Sequence, residues 1–125
     1  MYSKEIGGIS WVDLTVKNAE EVQGFYQSVI GLKSQSFSMG DYDDYVLSSP
    51  IDPDKKFGVC HAKDSNSNLP TQWLLYFNVA DIDASIKQCI ELGGSVIKDK
   101  CELDDYFMCV IRDPAGATVS LVENK

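Results

Sequence analysis

The sequence has no long apolar run and little positive charge. No hydrophobic stretch approaches the length of a membrane-spanning helix, and the opening MYSKEIGGIS has no apolar stretch of signal-peptide length. Eleven Lys and Arg face nineteen Asp and Glu, and the net charge of −8 disfavours nucleic acids and anionic membranes as partners. We therefore expect a cytoplasmic protein that forms a single domain over residues 1–125.

The chain also lacks clustered cysteines and has one histidine. Its four cysteines show no CxxC spacing, and three of them lie in apolar segments, which favours reduced, buried thiols over disulfides or a zinc site. The single histidine, His61, is the only side chain that titrates near neutral pH without help, so it is a candidate for acid–base catalysis. The alternative is a hydrogen-bonded histidine at the end of a strand.

What the sequence does contain is an internal repeat. The segment ISWVDLTVKNAEEVQGFYQSVIGLK resembles WLLYFNVADIDASIKQCIELGGSVIK. Asn18 corresponds to Asp81 and Gly31 to Gly94, at a constant offset of about half the chain. A constant offset between such landmarks indicates two copies of one structural unit.

Each copy predicts the order β-α-β-β-β. A strand is followed by an N-cap candidate, Asn18 or Asp81, and then by a helix that ends at glycine. Three short strands with turn residues between them follow each helix. The predicted modules are 9–63 and 72–123, with a polar linker between them. The helices carry apolar stripes of Val22, Phe25, Tyr26 and Val29 and of Ile82, Ile86, Cys89 and Ile90.

The alternation of side chains along the first strand of each module separates two faces. One face, with Leu14 in the first module and Phe77 in the second, is predicted to pack on the helix. The opposite face is more polar and aromatic, and we expect it to line a cavity between the modules. The ligand-binding candidates on this face are Trp11, Thr15, Leu74, Tyr76 and Ser120. The aromatic candidates for lining such a pocket are Trp11, Trp73, Tyr76, Tyr45 and Phe107, and the favoured alternative for any one of them is packing in the core.

Two modules of this kind, the helix end FYQSVIGL (25–32) and the turn DPAG before the last strand together resemble one known family. The chain resembles the vicinal oxygen chelate superfamily, also called the glyoxalase / bleomycin resistance protein / dioxygenase family, in its bacterial glyoxalase-like branch. The resemblance extends over roughly residues 9–123. It implies an α+β fold in which two βαβββ modules form a curled eight-stranded mixed sheet with one helix per module.

The same resemblance implies where a metal ion would bind. The metal enzymes of the superfamily take His, Glu or Gln ligands from the first and last strands of each module. Those positions fall here at Trp11, Leu74 and Ser120, and at a fourth place within Val59–His61. Because at most one donor remains, we expect no tightly bound metal and no other cofactor, while a weakly held divalent metal stays an open alternative.

Asp13 is an unusual residue for the middle of a strand. A carboxylate there is costly to bury, and a raised pKa with a role as general base or ligand acceptor would explain it. The alternative is a carboxylate bonded to a neighbouring hydroxyl or backbone N–H.

Two functions are left open. One is a binding protein for a small, partly apolar molecule, and the other is a lyase or isomerase that uses Asp13 and His61. Convergence of these two side chains on one pocket would favour the enzyme. Homodimers are common in the superfamily, so a homodimer is also expected.

Overall fold

The computed structural model describes residues 2–125 and divides them into two compact units. The first unit is Val12–Trp73, and the second unit joins Tyr2–Trp11 to Leu74–Lys125. The segment at the start of the described chain therefore packs with the second repeat, although it precedes the first repeat in sequence.

Both repeats form the predicted order of elements. The first contains β1 (Ile9–Val16), α1 (Ala19–Tyr26), a π-helical turn (Gln27–Gly31), β2 (Lys33–Ser38), β3 (Asp43–Ser48) and β4 (Lys56–His61). After a 3₁₀ turn (Asp64–Asn66), the second contains β5 (Trp73–Asn78), α2 (Ile82–Glu91), β6 (Ser95–Glu102), β7 (Tyr106–Arg112) and β8 (Thr118–Asn124).

The strands of the two units pair in the same way. In the first unit the strand order is β2-β3-β4-β1, and β1 runs parallel to β4 while the other pairs are antiparallel. In the second unit β6-β7-β8-β5 repeats this order, with β5 parallel to β8. The helix of each unit connects two strands that are consecutive in sequence but lie at opposite ends of the unit's strand order. Because one of its three strand pairs is parallel and the other two are antiparallel, each unit is a mixed sheet. The shared topology agrees with an origin of the two halves in one repeated unit.

The core of the first unit lies between α1 and the sheet. Leu14 and Val16 of β1 pack with Ala19, and Val22 and Tyr26 complete the cluster, as the alternation predicts. The predicted helical stripe was wrong in two positions, because the side chains of Phe25 and Val29 are 57% and 64% exposed. The α-helix ends at Tyr26, and Val29 lies in the wider π turn that follows, where the α-helical spacing no longer applies.

The second unit has a corresponding core under α2. Ile82 is fully buried beside Cys109 and Leu121, and Phe77 and Ile86 pack against them. The alternation along β5 is therefore confirmed for its helix-facing residues. In the predicted stripe of α2 the exception is Ile90, which is 59% exposed in the last turn of the helix.

The two helices begin differently. The Asp81 carboxylate accepts the N–H of Ala84 at 3.1 Å, as an N-cap should, and the Glu123 carboxylate accepts the N–H of Ile82 at 2.8 Å. Asn18 makes no such cap and instead donates from Nδ2 to the Glu21 carboxylate at 3.0 Å. The prediction of an N-cap was thus confirmed in the second module and wrong in the first.

All four cysteines are free thiols, of which Cys109 is buried and the other three are half-buried. Within residues 2–125, the helices are all too short or too polar to span a bilayer.

Candidate functional site

One face of the first unit gathers buried polar side chains. The parallel register pairs Asp13 with Gly58 and Thr15 with Cys60, so these residues share the face opposite α1. Asp13 is 7% exposed and Thr15 3% exposed, which makes them the most deeply buried polar groups of this unit. Burial raises the pKa of the Cys60 thiol, and the nearby carboxylates of Asp13 and Asp44 raise it further, so this thiol stays protonated.

His61 lies on the other face of the same sheet. It pairs with Val16 at the end of β4 and therefore shares the helix-facing side with Leu14 and Val59. Its Nδ1 lies 2.6 Å from the carbonyl oxygen of Asp43. Because a carbonyl oxygen only accepts, Nδ1 carries the proton of this hydrogen bond.

The ring of His61 also lines a polar cavity of about 380 Å³ in the first unit. Tyr42 and Tyr45 contact the ring with centroid distances of 5.5 and 6.2 Å. The same cavity is lined by the acidic residues Glu20, Asp41 and Asp43.

The structure does not bring the two predicted catalytic residues together. Asp13 faces away from α1, whereas His61 faces the side on which α1 packs. The two side chains therefore do not converge on one pocket, and an acid–base pair of Asp13 and His61 has no shared site within the first unit.

The second unit contains a cavity of about 380 Å³ with four aromatic residues in its lining. We call it the aromatic cavity. Trp11 and Tyr76, both predicted from the alternation, form part of its wall. The full lining consists of Tyr2, Ser3, Lys4, Ser10, Trp11, Tyr76, Tyr106, Val122 and Asn124. The Tyr2 and Trp11 rings contact each other with centroids 5.4 Å apart.

Polar groups are built into the same wall. Ser10 Oγ donates to the carbonyl oxygen of Tyr76 at 3.3 Å, and Asn124 Nδ2 donates to Asn78 Oδ1 at 3.2 Å. Burial raises the pKa of the Tyr2 phenol above its ordinary value, so this hydroxyl is protonated at neutral pH. The cavity thus offers flat apolar surfaces with hydroxyl and amide groups between them, which suits a small organic molecule.

Three other ligand-binding candidates lie deeper in the protein. Leu74 and Ser120 have no exposed surface, and Thr15 has almost none. Ser120 pairs with Tyr76, and so lies on the predicted face, but its hydroxyl donates to the carbonyl oxygen of Cys109 at 3.0 Å. Thr15 lines a separate cavity of the first unit.

The aromatic candidates divide between the cavity and the cores. Trp73 and Tyr45 pack in the core of the first unit, and Phe107 packs in the core of the second. Tyr45 also lines the polar cavity beside His61, and none of the three lines the aromatic cavity. Tyr106, which the sequence analysis missed, lines the cavity instead. In β7 it is one residue away from Phe107 and hence on the opposite face. Tyr2 was also missed, because it precedes the first strand.

Comparison with known proteins identifies the family. The glyoxalase-like domain matches residues 11–122, which is nearly the whole chain. The chain belongs to the glyoxalase-like domain family. It is 27% identical over 120 residues to the anthracycline biosynthesis protein DauV of Streptomyces sp. strain C5, a match that covers 94% of this chain and 42% of DauV. The chain spans less than half the length of the curated relatives it matches.

Solved structures confirm the fold class. A methylmalonyl-CoA epimerase from Mycobacterium tuberculosis matches with a TM-score of 0.61 at 17% identity, covering 100% of this chain and 93% of that one. A glyoxalase/bleomycin resistance protein/dioxygenase superfamily member from Vibrio splendidus 12B01 has a TM-score of 0.61 at 12% identity, with 91% and 97% covered. The fold is therefore the mixed-sheet fold of two βαβββ modules that the resemblance implied.

The residues of this glyoxalase-like domain do not fit the divalent metal of the superfamily's enzymes. Trp11 and Leu74 have no donor atom that binds such an ion, and the Ser120 hydroxyl is engaged with a backbone carbonyl. Among residues 2–125, no three His, Cys, Asp or Glu side chains are grouped as metal ligands. We accordingly assign no chemical step to a metal.

Proposed function

We propose that this domain binds a small, partly apolar molecule in the aromatic cavity of the second unit, without the metal ligands of the superfamily's enzymes. The observation that carries the proposal is the cavity wall, in which the rings of Tyr2, Trp11, Tyr76 and Tyr106 line a space of about 380 Å³. Such a volume lies within the range of small-molecule sites in proteins. Aromatic rings offer a flat ligand both apolar contact and offset or edge-to-face packing.

The alternative function, a lyase or isomerase that uses Asp13 and His61 as a pair, loses its geometric support. The two side chains lie on opposite faces of the first unit's sheet. A general acid and base that act on one substrate need to reach the same reacting atoms. Binding therefore accounts for more of the described geometry than catalysis by this pair does.

The proposal can be tested through tryptophan fluorescence, because the chain has two tryptophans in different places. Trp11 lines the aromatic cavity, whereas Trp73 packs against Phe57 in the core of the first unit with centroids 5.1 Å apart. The variant Trp73→Phe leaves Trp11 as the reporter. The matched variant Trp11→Phe leaves Trp73 as the control.

We expect the neutral aromatic probe 2-naphthamide to quench Trp73→Phe in a saturable manner and to leave the fluorescence of Trp11→Phe nearly unchanged. In the Trp73→Phe background, Tyr76→Ala removes one ring from the wall and should weaken binding by roughly two- to tenfold. Circular dichroism of each variant verifies that it is folded. Equal quenching of both single-tryptophan variants, or the absence of saturation in Trp73→Phe, would contradict the proposed site.

A further inference from the structure

The start of the described chain forms a strap on the second unit. We call residues Tyr2–Gly8 the N-terminal strap. The buried residue Asn78 holds it at three points: Asn78 Nδ2 donates to the Ser3 carbonyl at 2.7 Å, the Gly7 N–H donates to the Asn78 carbonyl at 2.8 Å, and the Asn78 N–H donates to the Gly8 carbonyl at 2.9 Å. Asn78 is 2% exposed, so these hydrogen bonds are shielded from water and fix the position of the strap.

The strap turns back closely on itself, and a glycine makes this approach possible. A Cβ atom at Gly8 would lie 2.8 Å from both Cβ and Oγ of Ser3. Ser3 also donates its N–H to the Ile9 carbonyl at 2.8 Å. A side chain at position 8 would therefore push Ser3, and with it the strap, away from its place.

This fold of the strap brings Tyr2, Ser3 and Lys4 to the wall of the aromatic cavity. Asn78 also connects the strap to a lining residue of β8, because its Oδ1 accepts a hydrogen bond from Asn124 Nδ2. The strap is thus part of the cavity rather than a segment beside it.

The charge of the lining contrasts with the charge of the chain. The sequence has 19 acidic and 11 basic residues, yet Lys4 is the one formally charged residue among those that line the aromatic cavity in the described chain. Lys4 is exposed, and within residues 2–125 its ammonium group makes no ion pair. An ammonium group without an ion-pair partner is available to a ligand, and no second Lys or Arg lines the aromatic cavity in the described chain.

We propose that the N-terminal strap makes the aromatic cavity selective for aromatic carboxylates, with the ring of the ligand between the aromatic side chains and its carboxylate at Lys4. This inference deepens the proposed function and rests on it. The ligand class is then the aromatic carboxylates. Lys4 provides the selectivity, and the strap holds Lys4 at the cavity.

The test compares two probes of the same shape in the Trp73→Phe background. We expect 2-naphthoate to bind roughly two- to fivefold more tightly than 2-naphthamide, since an exposed ion pair contributes a modest gain. Lys4→Met should remove this preference, so that the two probes bind with nearly equal affinity to this variant. Lys33→Met, which removes an exposed lysine of β2 in the first unit, is the matched control and should keep the preference. Raising the salt concentration should reduce the preference as well.

The strap itself is tested by Gly8→Ala. If the strap forms the wall, this variant weakens both probes while the protein stays folded by circular dichroism. Unchanged binding of both probes to Gly8→Ala would overturn the role of the strap.

The failures of the two proposals are distinguishable. Equal affinity for naphthoate and naphthamide, or a preference that survives Lys4→Met, would overturn the selectivity while leaving the proposed function intact. No saturable quenching by either probe would overturn the proposed function and the selectivity together.

Discussion

At the scale of single residues, Cys60 is a thiol whose surroundings make it unreactive. It lies on the polar face of the first unit, where burial first and then the carboxylates of Asp13 and Asp44 raise its pKa. Since the thiolate is the reactive species, we predict slow alkylation of Cys60 by iodoacetamide at pH 8, measured by peptide mass spectrometry. Asp44→Asn keeps an oxygen that can accept the His61 N–H and removes a negative charge, so it should speed alkylation of Cys60. Asp41→Asn is the matched control and should have no such effect.

The same thiol makes stability depend on alkaline pH. The unfolded thiol ionises near its ordinary pKa of 9.0, whereas the folded thiol ionises at higher pH. The contribution of the protonated Cys60 thiol to the unfolding free energy is therefore fully present below pH 9. Above pH 9 it is lost by about 1.4 kcal/mol per pH unit. We predict that urea unfolding at pH 8.5 to 10 shows a steeper loss for the native chain than for Cys60→Ala. Parallel slopes for the two proteins would contradict this explanation.

At the scale of secondary-structure elements, the two helices offer a matched comparison of N-caps. Asp81 caps α2 with a hydrogen bond to Ala84, whereas Asn18 contacts only the side chain of Glu21. We predict that Asp81→Ala lowers the unfolding free energy by about 1 kcal/mol, and that Asn18→Ala lowers it by less than about 0.5 kcal/mol. Chemical unfolding of both variants measures the difference, and equal losses would show that the cap of α2 contributes little.

The element scale also shows what could be predicted from the sequence and what could not. Alternation placed Leu14 and Phe77 under the helices correctly, because a strand with one covered face must present every second residue to the helix. It gave no such assignment for Phe107 and Tyr106, since the choice between them depends on the register of β7 against β8. Both are aromatic, so composition could not decide which of them faces the helix.

For the aromatic cavity, prediction from the sequence was incomplete for a different physical reason. Trp11 and Tyr76 were predicted because they lie in strands whose side chains alternate clearly between two faces. The N-terminal strap has no such period, and its place is set by hydrogen bonds to Asn78, which is distant in sequence. A short irregular segment that is held by tertiary contacts gives no local pattern from which its position could be read.

At the scale of the whole molecule, the repeat determines where a metal site would have to be built. The resemblance to the superfamily implies ligands from strands of both modules, and neither Trp11 in the first module nor Leu74 in the second has a donor atom that binds a divalent ion. Here Trp11, Leu74 and Ser120 occupy such positions, and the described residues provide no substitute group of three donors.

We predict that untagged protein, purified without chelators, contains well below one equivalent of metal by elemental analysis. Added Ni²⁺, Zn²⁺, Mn²⁺ or Fe²⁺ should raise the melting temperature by less than about 1 °C in a thermal-shift assay. A metal at 100 times its dissociation constant would stabilise the fold by about 2.7 kcal/mol, which for a domain of this size corresponds to a rise of roughly 10 °C. The assay therefore separates the two cases clearly. One bound equivalent with such a rise would show that a metal site exists after all. Its ligand candidates would be Asp13 and Cys60 on one face of the first unit's sheet, or His61 on the other.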